Sequence, residues 1–213
     1  MIMKIYLIRH GESQSNKQKL FVGHGDVSLS ELGLVQAKKT AEFLKNIRVD
    51  AIYSSDLIRA YDTAMQTAKL KNLPIIKDVG LRELSIGKYE FTPHEIMQTK
   101  YIDKWNGWLN NFAEAYFEEG ESVAEAQDRV VKTITKIAEQ NAGKTVFIFS
   151  HATSIRCFAA YCYNGGLQNV DKISWVSNAS VTEIDYENGQ FKIIDYGRDD
   201  FMGELRQTLP NRG

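Results

Sequence analysis

Short apolar runs alternate with amphipathic segments along most of the chain. The predicted strands are rich in β-branched and aromatic residues and cover 4–8, 51–54, 74–76 and 146–149. The predicted helices repeat apolar residues every three or four positions and cover 30–44, 57–70, 121–138 and 155–161. Strands that alternate with helices are typical of an α/β protein with a mostly parallel sheet.

The end of the chain departs from this alternation. Residues 181–186 and 191–196 alternate apolar and polar positions, and Asn188-Gly189 between them is a hairpin signal. The sheet is therefore predicted to be mixed, with one antiparallel edge. Residues 92–119 follow a helical pattern without a strand and are rich in aromatic residues, which predicts a small helical cap over the strand ends. We expect residues 1–213 to form one domain, a three-layer α/β/α sandwich with this cap inserted.

Composition narrows the possible partners. The 213 residues include 26 Lys and Arg against 27 Asp and Glu, a net charge of −1, so no broad surface for nucleic acid is expected. The N-terminus lacks a signal-peptide pattern, and the apolar runs are too short to span a membrane. Cys157 and Cys162 lie on different faces of one predicted helix, which favours free thiols. These features predict a cytoplasmic protein without a membrane partner.

Two histidines follow two of the predicted strands. His10 comes after the apolar run 5–8, and His151 comes after the run 146–149. A parallel α/β sheet carries its chemistry beyond the carboxyl ends of its strands, so both imidazoles are expected at the same edge. Arg9, beside His10, offers a planar set of donors that suits phosphate. The sequence therefore predicts an anion site at this edge.

Three further residues are candidates for the same site. Arg59 lies in the first turn of a predicted helix, where a cation is disfavoured unless an anion sits against it. Glu83, after the third strand, is a candidate proton donor, and Glu90 is the alternative. Asn16 adds a short polar group in the turn after His10.

Other motifs in the sequence are incomplete. His94-Glu95 begins like the helix of a zinc protease, but the second histidine is missing. Gly23-His24-Gly25 lacks the third glycine of a dinucleotide-binding loop. No metal site is predicted, and His24 and His94 are expected at the surface without an assigned role.

Taken together, the motifs resemble the histidine phosphatase superfamily, also called the phosphoglycerate mutase-like family. They occur in family order over nearly the whole chain. The matching blocks are Arg9-His10-Gly11-Glu12-Ser13 with Asn16, Gly23 and Asp26 with Leu29-Ser30-Glu31-Leu32-Gly33 and Gln36-Ala37, Ser54-Ser55-Asp56-Leu57 with Arg59-Ala60 and Thr63-Ala64, Leu81-Arg82-Glu83-Leu84 with Gly87 and Glu90, Gly120-Glu121-Ser122, and Ser150-His151. Two departures stand out: Ala152 replaces the usual glycine, and Tyr89-Glu90-Phe91 replaces the frequent Trp-Glu-Gly.

The resemblance implies a reaction. His10 would be the nucleophile that takes the phosphoryl group as phosphohistidine, and Glu83 would protonate the leaving oxygen and then activate water. Because His10 must be neutral to attack and His151 is more useful as a cation, their pKa values are expected to be pushed apart.

The resemblance also implies which residues bind the phosphoryl group. Arg9, Arg59 and His151 would hold its equatorial oxygens, with Asn16 helping and with Ala152 at the phosphate-binding position of the missing glycine. Positioned positive donors supply most of the catalysis of phosphoryl transfer, so no metal or other cofactor is expected.

Three functions remain open at this point. A phosphatase for small phosphomonoesters is favoured, because the insertion is modest and the tail after Tyr196 is short. The range of similar phosphatases includes broad-specificity, sugar-phosphate and α-ribazole phosphatases. A cofactor-dependent phosphoglycerate mutase is the second possibility. A catalytically weak protein that binds a phosphate ligand or has a regulatory role is the third, and Ala152 is the one feature in its favour. A homodimer is expected to be possible.

Overall fold

A six-stranded mixed sheet forms the centre of the protein. The computed structural model describes residues 2–164 and 166–207. The strands of the sheet, in spatial order, are β4 (Ile75–Lys77), β3 (Ala51–Ser54), β6 (Thr145–Ser150), β1 (Met3–Arg9), β7 (Val181–Glu187) and β8 (Gln190–Arg198). The first four are parallel to one another, whereas β7 and β8 are antiparallel to their neighbours. The predicted mixed sheet is therefore confirmed.

Helices cover both faces of this sheet. The helices are α1 (Gln14–Lys17), α2 (Glu31–Leu44), α3 (Ile58–Lys71), α4 (His94–Thr99), α5 (Ile102–Asn110), α6 (Val123–Gln140) and α7 (Ala152–Asn164). On one face Tyr6 and Phe147 pack with Leu44 of α2 and Ala64 of α3. On the other face the alternate residues of the same strands pack against α6 and α7. This confirms the three-layer α/β/α arrangement, because residues of a strand point to opposite faces in turn.

Serine caps start two of the long helices where the sequence predicts. Ser30 accepts a hydrogen bond from the N–H of Gly33 at the start of α2. Ser122 and Glu125 form a reciprocal capping box at the start of α6. Such caps satisfy backbone donors that have no partner within the helix. The cap fixes the start of α6, the helix whose Arg129 binds the backbone at residue 83.

The hairpin at the sheet edge follows its turn signal. Asn188 and Gly189 both have positive φ angles, 52° and 80°, between β7 and β8. A two-residue turn with positive φ at both positions matches the twist of antiparallel strands, and Asn-Gly adopts it readily. The predicted antiparallel edge is confirmed.

The cap segment 92–119 contains more than helices. Thr92–Pro93 forms a short strand, β5, that pairs with β2 (Leu20–Phe21) in a separate antiparallel sheet, so the expectation of a segment without a strand is wrong. The pairing is long-range, and a two-residue strand leaves no periodic signal. Phe21 lies between three cap aromatics, with ring centroids 5.5–6.1 Å away: Trp105, Trp108 and Phe117. These contacts tie the cap to the loop that follows α1.

Two further sequence expectations concern the cysteines and the membrane. Cys157 is buried and Cys162 is partly buried, and both are free thiols as predicted. Burial raises the pKa of each thiol. Within residues 2–164 and 166–207, none of the helices is both long and apolar enough to cross a membrane.

Candidate functional site

The two predicted histidines meet at the carboxyl edge of the sheet. β1 and β6 are adjacent and parallel, and the N–H of His10 donates to the carbonyl of Ser150 at 3.1 Å. The ring centroids of His10 and His151 are 5.1 Å apart, and both residues are buried. The topological expectation that one sheet edge collects both imidazoles is therefore correct.

The hydrogen bond of His10 determines which ring nitrogen is free. Nδ1 of His10 lies 2.6 Å from the carbonyl oxygen of Gly11. A carbonyl oxygen only accepts, so Nδ1 carries the hydrogen and donates. In the neutral ring the lone pair is then on Nε2, which is the atom able to act as a nucleophile.

A serine after β3 holds His151. Nε2 of His151 and Oγ of Ser55 share a hydrogen bond of 2.9 Å, and Oγ of Ser55 also accepts from the N–H of Leu57 at 3.3 Å. Ser55 is fully buried, so the contact is shielded from solvent. The other ring nitrogen, Nδ1 of His151, is buried and has no hydrogen-bond partner.

The two predicted arginines are also buried at this edge. Nη1 of Arg9 donates to the carbonyl of Val176 at 2.7 Å, and Nε of Arg9 has no partner. Arg59 donates to the carbonyls of Gly23 and Gly25 at 2.6 and 2.8 Å. Burial lowers the pKa of Arg9 to about 10 and also lowers that of Arg59, while the charge of Glu83 opposes both shifts. Both guanidinium groups stay charged at neutral pH.

The pKa values of His10 and His151 shift in the same direction. Burial lowers the pKa of each histidine well below its usual value, and the charges of Arg59 and Arg9 lower both further. The expectation of a cationic His151 is therefore not met in the free protein, where both pKa shifts are downward. The reason is that one buried space and one pair of arginines surround both rings.

Glu83 lies against the N-terminus of α7. Its carboxylate accepts from the N–H groups of Thr153 and Ser154 at 3.2 and 3.3 Å, and from its neighbour Leu84 at 2.9 Å. The first turn of this helix follows His151 directly. Backbone donors at a helix start attract a carboxylate, so the fold holds Glu83 at the helix start that follows His151, where its charge acts on Arg9 and Arg59.

Glu90, the alternative proton donor, binds the backbone of the loop 23–25. Its carboxylate accepts from the N–H groups of Gly23, His24 and Gly25 at 2.7–3.0 Å. The carbonyls of the same two glycines hold Arg59. Glu90 therefore shapes the loop that positions Arg59.

Asn16 contacts Asn178, which binds the His10 carbonyl, and Ala152 follows His151 in the chain. The amide oxygen of Asn16 accepts from the Ser13 N–H at 3.1 Å and from Nδ2 of Asn178 at 3.2 Å. This leaves the amide nitrogen as the donor that Asn16 can offer an anion. Ala152 is buried as the first residue of α7, next to His151.

The expectation for His24 and His94 needs correction. Nε2 of His24 lies 2.8 Å from the carbonyl of Glu83, so this nitrogen carries a hydrogen and donates it. The His24 side chain is 30% exposed, and its Nε2 also lies 3.9 Å from Oε2 of Glu121. The His94 ring is partly buried against Phe21 and Trp105. Neither is simply a surface residue, because the loop 23–25 and the cap both fold onto the strand ends.

Sequence reasoning missed several residues that fix this site. Asn178 donates to the carbonyl of His10 at 3.2 Å, and the Ala179 N–H donates to the same oxygen at 3.0 Å. Ser55 holds His151, and Arg129 with Glu121 holds the segment that carries Glu83. Ser55 and Glu121 lie inside motif blocks that could have flagged them, whereas Asn178 and Arg129 carry no local signal.

The site is suited to an anion. In the described ranges, three buried side-chain nitrogen or oxygen atoms have no hydrogen-bond partner, and two of them, Arg9 Nε and His151 Nδ1, belong to this site; the third is Thr67 Oγ1. Buried polar atoms normally have partners, so unpaired nitrogens beside two arginines favour a bound oxyanion. Among the residues that the structure describes, no group of three or more His, Cys, Asp or Glu side chains is arranged around a common metal position.

Comparisons with known proteins agree with this geometry. Residues 5–199 match the family described as "Histidine phosphatase superfamily (branch 1)". "Phosphoserine phosphatase 1" of Hydrogenobacter thermophilus is 32% identical over 208 residues, which cover 96% of this chain and 96% of that protein. "Probable phosphoglycerate mutase GpmB" of Yersinia pestis is 30% identical over 187 residues, 87% of this chain and 86% of that protein.

A solved structure shares the same fold. The structure of "Bacillus stearothermophilus YhfR" superposes with a TM-score of 0.87 at 27% identity and covers 94% of this chain and 99% of that one. The family match spans the sheet, the cap and every strand end that carries a candidate residue. The chain therefore belongs to branch 1 of the histidine phosphatase superfamily, and it is a histidine phosphatase enzyme.

Proposed function

We propose that the protein hydrolyses small phosphomonoesters through a phosphohistidine on His10, without a metal ion. The observation that carries this proposal is the Nδ1–H of His10, which donates to the Gly11 carbonyl at 2.6 Å and leaves the lone pair on Nε2. That nitrogen belongs to a buried ring beside His151, at a site with two buried arginines. A neutral nucleophile among positive donors matches the needs of phosphoryl transfer.

The first half of the reaction transfers the phosphoryl group to the protein. Nε2 of His10 attacks phosphorus in line with the leaving oxygen, so an N–P bond forms as the P–O bond breaks. Glu83 gives its proton to the leaving oxygen, and the product alcohol departs. Arg9, Arg59 and His151 hold the equatorial oxygens, where charge is spread in the transition state.

The second half releases phosphate. The Glu83 carboxylate takes a proton from a water molecule, whose oxygen attacks phosphorus as the N–P bond breaks. The lone pair returns to Nε2 of His10, and Glu83 is again protonated for the next cycle. The net reaction consumes one phosphomonoester and one water and releases one alcohol and one phosphate.

The chemistry of the site also explains how His151 becomes a cation. In the free protein the pKa of His151 is lowered by burial and by Arg59. A phosphate dianion between the rings would raise that pKa, because an opposite charge at short range favours the protonated ring. We infer that substrate binding brings a proton to His151, while His10 donates Nδ1–H to Gly11 and stays neutral at Nε2.

Hydrolysis is favoured over mutase activity. The relative of matching length from Hydrogenobacter is named as a phosphoserine phosphatase, and this supports water as the acceptor for this chain. The Yersinia relative is named as a probable phosphoglycerate mutase, so that activity is the second candidate. A cytoplasmic location and a homodimer stay predictions.

Phosphate release from a panel of phosphorylated metabolites tests the proposal. The panel includes p-nitrophenyl phosphate, O-phosphoserine, α-ribazole 5′-phosphate and 3-phosphoglycerate. We expect turnover without added metal or bisphosphoglycerate. In His10→Ala we expect kcat to fall by about 10³-fold or more, because the variant lacks the nucleophile that forms the covalent intermediate. The control His94→Gln, whose ring packs in the cap, should stay within about threefold of the wild type.

Two results would overturn this assignment. Interconversion of phosphoglycerates much faster than phosphate release, and dependent on added bisphosphoglycerate, would make the protein a mutase. Retention of more than a tenth of wild-type kcat in His10→Ala would remove His10 as the nucleophile. An acid-labile phosphoryl group trapped on the wild type but not on His10→Ala is the expected direct observation.

A further inference from the structure

Arg129 on α6 contacts the segment that carries Glu83. Its Nη1 donates to the carbonyls of Gly80 and Arg82 at 3.1 and 2.9 Å, and its Nη2 donates to the carbonyl of Glu83 at 3.0 Å. The remaining donors reach Glu121, with Nε to Oε1 at 2.7 Å and Nη2 to Oε2 at 2.8 Å. All five N–H donors of a guanidinium group therefore have partners, three of them in residues 80–83.

Glu121 extends this contact to the far side of Glu83. Its Oε2 accepts from the N–H of Ser85 at 2.8 Å, and its own N–H donates to the carbonyl of Ser85 at 2.9 Å. Burial opposes ionisation of Glu121, but the bonds from Arg129 and the Ser85 N–H outweigh it, so the pKa of Glu121 is lowered. The Arg129–Glu121 ion pair thus binds the backbone on both sides of residue 83.

The same segment has further contacts with other elements. Oγ of Ser150 donates to the carbonyl of Leu81 at 2.8 Å, and Oγ of Ser154 donates to that of Arg82 at 2.6 Å. His24 is the second donor to the carbonyl of Glu83. These groups come from β6, α7 and the loop 23–25, and the Asp56 carboxylate accepts from the Arg82 side chain at 2.6 and 2.7 Å. Among these contacts, Arg129 is the side chain that binds three carbonyls of the segment at once.

From this geometry we propose that Arg129, paired with Glu121, is a positioning residue for the proton donor Glu83. The inference rests on the proposed function, since it needs Glu83 to exchange a proton with the leaving oxygen. A guanidinium group can bond three carbonyls and a carboxylate at once, and an ammonium group cannot reproduce this arrangement. Proton transfer is sensitive to placement, and a shift of about 1 Å can cost on the order of 10²-fold in rate.

The test measures kcat/KM of Arg129→Lys for two kinds of ester. For a poorly activated alkyl ester such as O-phosphoserine, which needs protonation of the leaving oxygen, we expect a loss of about 10²-fold. For p-nitrophenyl phosphate, whose leaving group is stable as an anion, we expect a loss below about threefold. kcat/KM is the right quantity because it covers the steps up to transfer to His10 and excludes the later attack of water.

A double-mutant cycle separates positioning from general damage. If Arg129 acts through Glu83, Arg129→Lys should cost less than about threefold on the alkyl ester in a Glu83→Gln background, because coupled residues are not additive. Should the two losses multiply instead, the positioning role would be refuted. An equal loss on both esters in the single variant would refute it as well.

Arg156 on α7 provides a matched control. It is a buried helical arginine that donates to the carbonyls of Ile173 and Val170 at 2.9 and 3.0 Å, away from residues 80–85. Arg156→Lys is expected to change both esters by the same factor. If it reproduces the selective loss on the alkyl ester, the assignment to Arg129 fails.

A second variant keeps the inference testable if Arg129→Lys fails to fold. Glu121→Gln keeps the side-chain shape but removes the charge that pairs with Arg129. Its kcat/KM should fall selectively on the alkyl ester, by less than in Arg129→Lys; a uniform fall on both esters would contradict the proposal.

Failure of the proposed function would give a different result from failure of the positioning inference. In that case Glu83→Gln alone would slow both esters equally, whereas failure of the positioning inference leaves Glu83→Gln selective and Arg129→Lys not.

Discussion

Each charged residue of the site is held by a neighbour that is distant in sequence. Arg59 donates to carbonyls of the loop 23–25, and that loop is held by the carboxylate of Glu90. Glu83 lies on the start of α7, about seventy positions further along the chain. The two glutamates that the sequence offers as proton donors therefore differ in what they hold. Glu83 lies on the start of the helix that follows His151, and Glu90 supports an arginine.

This difference predicts opposite kinetic signatures for the two glutamates. Glu90→Gln removes one of two acceptor oxygens that serve three N–H groups, so Arg59 should lose its fixed position. We expect kcat/KM to fall by about tenfold for activated and unactivated esters alike, chiefly through KM, because binding of the phosphoryl group weakens. Glu83→Gln should instead slow esters with poor leaving groups selectively.

Steady-state kinetics on p-nitrophenyl phosphate and O-phosphoserine distinguish these outcomes. A selective loss in Glu90→Gln together with an equal loss in Glu83→Gln would exchange the two assignments. The same measurements on wild type at matched ionic strength serve as the reference.

At the level of elements, the start of α2 lies directly against the turn after β1. A Cβ atom added to Gly33 would lie 2.0 Å from the carbonyl oxygen of Glu12, and one added to Gly11 would lie 2.5 Å from the carbonyl oxygen of Gly33. Backbone therefore contacts backbone here, which leaves no room for a methyl group. The close approach helps to fix the turn that carries His10.

Gly33→Ala should consequently destabilise the protein. We expect the free energy of unfolding to drop by about 1–3 kcal/mol, the usual cost of an added methyl group in a packed contact that must move. Gly107→Ala is the matched control, since a Cβ at this helical position on α5 has nothing within 4 Å. It should be neutral or stabilising by up to about 1 kcal/mol.

Urea unfolding of the two variants and the wild type measures both effects. Equal stability of Gly33→Ala and wild type would show that α2 can move away from the turn without cost. In that event the contact between the two glycines would not position His10.

At the level of the whole molecule, folding buries two neutral histidines among positive charges. In the unfolded chain the histidines titrate near their ordinary pKa of about 6.5, whereas burial and the arginines keep the folded pKa values well below it. Below pH 6.5 the unfolded state therefore binds more protons than the folded state. Stability is fully present above that pH and is lost as the pH falls towards the folded pKa values.

We expect the free energy of unfolding to fall by about 1.4 kcal/mol per pH unit for each of the two histidines below about pH 6. Urea unfolding between pH 7.5 and pH 5 tests this sign and slope. His10→Asn should remove about half of the slope. A stability that rises on acidification, or a slope that His10→Asn leaves unchanged, would contradict the lowered pKa values.

Most of the sheet and the identity of the candidate residues could be predicted from the sequence. The runs that become β1 and β6, the serine cap of α2 and the Asn188-Gly189 turn each depend on a few consecutive residues. The rule for strand ends then places His10 and His151 together. Their proximity is observed, while their chemical roles remain the proposal made above.

The tertiary structure decided everything that depends on contacts between distant positions. The pairing of β5 with β2, the bond from Ser55 to His151 and the bonds from Arg129 to residues 80–83 link positions roughly 40 to 100 residues apart. The common lowering of both histidine pKa values likewise comes from burial and from charges that the fold assembles. Periodicity and turn chemistry are local properties and can be recognised in a sequence, whereas a hydrogen-bond partner or a desolvated charge exists only once the chain has folded.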